Sequence, residues 1–127
     1  MVIRERYESL LKLALTEYPK IVTGGSMVGG TALKSRLLRT LLTDDSYLDI
    51  RLSADAYAFH WERRAIDGTL FRWDDAPHHQ EIPTFPHHLH NGSESHVVES
   101  QLPVVSPSMG LRYVLSFIEN WLDEARG

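Results

Sequence analysis

Five of the chain's seven histidines fall in the 13 residues from His78 to His90, where an even spread would put fewer than one. They stand in two Pro-His-His units nine residues apart, Pro77-His78-His79 and Pro86-His87-His88, with His90 just beyond. Proline restricts the backbone ahead of each pair, so imidazoles can be held in place there without a helix or a strand.

Imidazole titrates near neutral pH, and a cluster of this kind suits three chemistries. The first is RNA phosphodiester cleavage without a metal. It needs a base for the 2′-hydroxyl proton, an acid for the leaving oxygen and a cation for the phosphorane. His78 or His79 would be one proton carrier, and one of His87, His88 or His90 its complement. Arg72 would take the phosphate, with Arg51 and Arg63 as alternatives, and Asp74 would fix an imidazole tautomer. This leading reading requires no cofactor. The second chemistry is a metal-dependent hydrolase or transferase with His78, His79, His87, His88 and His90 as candidate ligands, since histidine with carboxylate suits zinc, nickel, manganese or iron. The chain has no helical His-x-x-x-His pair and no other strong metal spacing. The third is a binding module without catalysis, its histidines stacking on bases or filling a partner interface.

Blander roles compete at each position. Any one of the five histidines could donate a ring N–H to a loop carbonyl; all five doing so is a poorer account of the cluster. Asp74-Asp75 also reads as a turn after a strand, and Arg72 beside Trp73 as cover for a sheet surface. His60, within an aromatic strand, and the isolated His96 read as structural.

The elements that must position these residues follow from hydrophobic spacing. Arg4 to Tyr18 is expected to be a helix, with Tyr7, Leu10, Leu11, Ala14, Leu15 and Tyr18 on one stripe and Pro19 ending it. Ile21 to Val28 reads as strand-like fragments around Gly24-Gly25, followed by a turn at Gly29-Gly30. Thr31 to Thr43 fits a helix or a strand. As a strand it would put Leu33, Leu37 and Leu41 on one face, and Lys34, Arg36 and Thr40 on the other. After the turn at Thr43 to Ser46, a strand from Tyr47 carries Leu48, Ile50 and Leu52 on one face. Ala56 to Ile66 alternates Tyr57, Phe59 and Trp61 with Ala58, His60 and Glu62. Asp67-Gly68 signals a hairpin, and Thr69 to Trp73 returns antiparallel. Asp74 to Val105 has no clean period and reads as a long connection. A last helix starts near Ser106, with Val114, Phe117, Ile118, Trp121, Leu122 and Ala125 as its apolar stripe. The expected fold is α+β: an antiparallel meander of about four to five strands flanked by N- and C-terminal helices, with a long His/Pro-rich loop.

Composition bounds the rest. The 127 residues suit a single domain, 1–127, and 43% hydrophobic with 24% charged residues is ordinary for a globular chain. The absence of cysteine excludes a disulfide framework and any thiol ligand or thiol nucleophile. A net charge of −4 argues against a large sequence-blind nucleic-acid surface but leaves room for a small cationic site. No apolar run is long enough to span a membrane, and MVIRERYESL lacks the apolar segment of a signal peptide, so a cytoplasmic location is expected. The uncovered sheet face and the strand near Ile21 could form the edge of a homodimer.

Phe59-His60-Trp61, Asp67-Gly68, Phe71-Arg72-Trp73-Asp74-Asp75-Ala76-Pro77-His78-His79 and Phe85-Pro86-His87-His88-Leu89-His90 together resemble the TumE family of prokaryotic toxin–antitoxin toxins. The likeness is best over Thr43 to Val98 and weaker in the C-terminal helix. One departure is Asp75, where the family pattern has asparagine. The resemblance implies a toxin paired with a helix-turn-helix antitoxin, and RNA as the expected substrate. Matching residues imply a site made of Arg72, Asp74, His78, His79, His87, His88 and His90.

Overall fold

The computed structural model describes residues 3–30 and 36–126. Its elements run α1 (Ile3–Glu17), β1 (Val22–Val28), β2 (Leu37–Leu42), β3 (Tyr47–Leu52), β4 (Tyr57–Arg63), α2 (Arg64–Asp67), β5 (Thr69–Asp74), β6 (His88–Gly92), β7 (Val97–Glu99) and α3 (Pro107–Arg126). All seven strands pair antiparallel with their chain neighbours, so the sheet is a single meander from β1 to β7.

The two long helices cover one face of this sheet. Tyr7, Leu10 and Ala14 of α1 and Leu111, Val114, Leu115, Ile118 and Leu122 of α3 form the core with Leu38, Leu48, Ile50, Phe59, Trp61, Phe71 and Trp73 of the strands. Each large side chain buried here contributes roughly 1.5–3 kcal/mol of transfer free energy. The aromatic contacts place α3 over β4 and β5: Trp121 meets the Trp61 ring edge-on at 5.3 Å, and Phe117 meets Trp73 at 5.0 Å. Two glycines let the helices sit this low. A Cβ at Gly110 would stand 3.2 Å from the Phe59 ring, and one at Gly25 would stand 2.7 Å from Leu11 Cδ1 and 2.9 Å from the Arg39 carbonyl oxygen. The helices are tied to each other through Tyr18 Oη, which donates to the Arg112 carbonyl at 3.0 Å, and through a bidentate Arg112–Glu17 pair. The Ser106 hydroxyl accepts the Met109 N–H and caps α3 as its sequence foretells.

The α+β class and the flanking helices are as expected, and the sheet is larger than expected. The fragments around Gly24-Gly25 are one strand with a register shift between Val22 and Gly24. Two more strands, β6 and β7, come out of the supposed long connection from Asp74 to Val105. Composition concealed them, because β6 reads His-Leu-His and only Leu89 shows an apolar face; pairing of Leu89 with Trp73 supplies the rest. At Asp67-Gly68 the chain makes the four-residue α2, which ends on Gly68 at φ 81°, in place of a two-residue hairpin. The ambiguous segment Thr31 to Thr43 contains β2, and its inward face is Leu38, Thr40 and Leu42, while Leu41 is exposed. That reverses the expected faces, because Leu38 pairs with Ile50 and Thr40 with Leu48. Leu33 and Lys34 lie outside the described residues.

Candidate functional site

The face away from the helices carries the candidate residues. Strand alternation sends Phe71 and Trp73 of β5 into the core and Arg72 and Asp74 out to the open face. Neighbouring strands do the same. Asp74 pairs with His88 on one side and Ala58 on the other, and Arg72 pairs with His90 and with His60. A row of polar side chains therefore crosses five strands: Arg39, Asp49, His60, Arg72 and His90.

Asp74 is the hub. It is a buried carboxylate whose Oδ1 accepts the Ala76 N–H at 2.9 Å and lies 3.1 Å from His88 Nε2. Its Oδ2 accepts from Arg72 Nε at 3.2 Å and lies 3.7 Å from His90 Nε2. The far nitrogens of both imidazoles are spoken for. His88 Nδ1–H donates to the Pro86 carbonyl at 2.9 Å, and His90 Nδ1–H donates to the Glu94 carbonyl at 2.8 Å, since a carbonyl can only accept. In each ring Nε2 is thus the nitrogen left on the carboxylate's side. Burial pushes His90 below the ordinary imidazole value, against the opposing pull of its bond to the Glu94 carbonyl.

His79 closes the group from the turn after β5. Its ring centre lies 4.7 Å from that of His88 and 5.6 Å from that of His90. One ring nitrogen from each of the three lies within 4.8 Å of the other two. His79 Nδ1 lies 3.6 Å from Glu81 Oε1. Arg72, Asp74, His78, His79, His88 and His90 all line one open cleft of about 710 Å³. His78 stands exposed at its mouth.

His87 is the expected site residue that does not join them. Its ring stacks on Tyr57, with Nδ1 3.0 Å from the phenol oxygen, and it lines a separate cleft with Leu102 and Val104. Burial, with Asp75 and Asp74 nearby, pushes the Tyr57 phenol up. Asp75 accepts the Tyr57 N–H through Oδ1 at 3.1 Å. An asparagine oxygen could accept the same bond, so this contact does not require the extra charge. The alternative cations also lie elsewhere. Arg63 is buried between Trp61 and Trp121, bonded to Asp44 and Asp67, and Arg51 lines an adjoining groove over β3 to β5 that Arg72 also borders.

Two residues of the site have no counterpart among those picked out above. Glu94 grips Arg72 with two bonds of 2.7 Å each, and this pairing holds the Glu94 carboxyl down at about 2. No spacing signal in the sequence points to Glu94. His60 accepts from Arg72 Nη1 at 3.3 Å and donates from Nε2 to Glu62 at 2.9 Å. His60 could have been found, because a turn centred near Ile66 brings residues 60 and 72 opposite each other.

A family model described as Toxin TumE matches residues 12–122 of the chain. No curated protein and no solved structure matches it. Among the described residues, no helix is long and apolar enough to cross a membrane.

Proposed function

The chain belongs to the TumE toxin family, the toxin component of a toxin–antitoxin system, and we propose that it acts as an endoribonuclease through the open-face cleft. One observation carries the reading: three imidazoles, an arginine and an orienting carboxylate converge in a cleft open enough for a nucleotide chain. In the reaction the RNA 2′-oxygen attacks phosphorus and the bond to the 5′-oxygen breaks. One imidazole takes the 2′-hydroxyl proton and another returns a proton to the leaving oxygen. His90 Nε2 and His79 are the pair the geometry favours, since His88 is almost wholly buried against Asp74. Arg72 neutralises the phosphorane, taking an RNA phosphate in place of the Glu94 carboxylate. The adjoining groove with Tyr47, Arg51 and Arg64 gives the strand a path across β3 to β5. Net charge of −4 does not oppose this, because Arg51, Arg64 and Arg72 stand together along one groove of that face.

Purified protein is expected to cleave single-stranded RNA in EDTA and leave 2′,3′-cyclic phosphate ends, with His79→Ala losing most of the rate. Intact RNA in EDTA and also after addition of Mg²⁺, Mn²⁺ or Zn²⁺ overturns the proposal. The antitoxin is proposed to be a helix-turn-helix protein acting with the toxin in the cytoplasm, and co-purification with the product of an adjacent gene tests that pairing.

A further inference from the structure

We propose that His79, His88 and His90 form a binding site for one zinc-class divalent ion. Their stereochemistry carries this. His88 and His90 have each committed Nδ1–H to a backbone carbonyl, which leaves Nε2 as the nitrogen facing the Asp74 carboxylate. Asp74 adds a carboxylate oxygen beside both Nε2 atoms, with Arg72 Nε meeting it on the Oδ2 side, so imidazole and carboxylate donors converge on one point of the cleft. Locking the outer nitrogen of a ligand histidine on a carbonyl or a carboxylate is how proteins orient imidazole toward an ion. The third ring, His79, is not locked in this way: its Nδ1 lies 3.6 Å from the exposed Glu81 carboxylate, beyond hydrogen-bond distance.

The donor set selects the ion. Three imidazoles with one carboxylate oxygen and no thiol suit zinc, cobalt(II) or nickel over magnesium or calcium. Around tetrahedral zinc, ligand nitrogens stand about 3.3 Å apart, given Zn–N bonds of about 2.0–2.1 Å. The three nitrogens here are spaced up to 4.8 Å, so binding must draw one ring inward. His79 is that ring: it sits on a turn and its side chain is 28% exposed, whereas His88 and His90 are fixed on β6.

The ion site stands apart from the RNA-cleavage reading but meets it at the same nitrogens. A bound ion holds the lone pairs that proton transfer needs, so the zinc-loaded toxin is expected to be silent toward RNA.

The test uses full-length protein without a histidine tag, titrated with cobalt(II) and then with zinc. The expected result is one cobalt per chain with visible tetrahedral absorption bands that zinc abolishes. His79→Ala should weaken binding at least about tenfold, and His96→Ala, an exposed histidine outside the cleft, should leave it unchanged, with the thermal midpoint of each variant confirming its fold. Binding far below one equivalent, or equal losses in the two variants, overturns the site. RNA cleavage in EDTA that stoichiometric zinc stops supports both proposals. Metal binding by a protein that cleaves no RNA under any condition overturns the nuclease and leaves the metal site standing. Cleavage without binding does the reverse.

Discussion

Glu94 occupies Arg72 as an RNA phosphate would, with two parallel bonds of 2.7 Å from the guanidinium. Glu94→Gln should therefore tighten RNA binding. The side chain of Glu94 is 53% exposed, so its pairing with Arg72 is partly screened, and a pair of that kind holds about 1 kcal/mol. Releasing that competition gives about a fivefold gain in RNA affinity. The assay is fluorescence anisotropy with a labelled RNA oligonucleotide whose 2′-hydroxyls are methylated, which blocks cleavage and isolates binding. Removing any negative charge helps an anion somewhat, so Glu5→Gln, exposed on α1, is the control for that general effect. The affinity gain should appear in Glu94→Gln, exceed that of the control, and vanish when Arg72 is also replaced by methionine. An affinity for Glu94→Gln no better than the control would refute the idea that the carboxylate stands where phosphate binds. A weaker affinity would refute it too, and would make Glu94 a support that Arg72 needs.

Two further predictions concern the fold. Glu62 is held down at about 2 by Arg64 first and by His60, so its contribution is full above the ordinary value of 4.5 and is lost as pH falls toward 2. Glu62→Gln should lower stability by about 1 kcal/mol at pH 7, and urea titrations should show that gap closing between pH 5 and pH 2; a gap constant with pH would contradict the assignment. Gly25→Ala drives a methyl against Leu11 and the Arg39 carbonyl, at a cost of about 1–3 kcal/mol. Gly24→Ala, with nothing within 4 Å of the new methyl, should shift the thermal midpoint far less, and equal shifts in the two would show that the helix does not bear on β1 at Gly25.

Much of the arrangement was legible from alternation. Once Phe59, Trp61, Phe71 and Trp73 are read as buried, His60, Arg72 and Asp74 must share the opposite face. The first Pro-His-His unit was likewise read correctly as irregular chain. The second misled, because His88-Leu89-His90 has a strand's alternation with its apolar member outnumbered by polar ones. What sequence could not show is the distance across the sheet. His87 and His88 are neighbours in the chain yet face different clefts, and Glu94 reaches Arg72 only because the β6–β7 turn folds back over β5. Contacts made by a turn returning over a strand leave no period to read.

The two Pro-His-His units look alike in letters but tolerate change in chain length very differently. Residues 75–87 join β5 to β6 outside the sheet, so a residue gained or lost there would move His78, His79 and His87 and leave the strand pairing alone. A residue gained or lost inside β6 would reverse the faces of the strand on one side of the change, turning His88 or His90 in among Trp73 and its neighbours. Length variation in the first unit would thus retune the site, whereas in the second it would break the site and the core together.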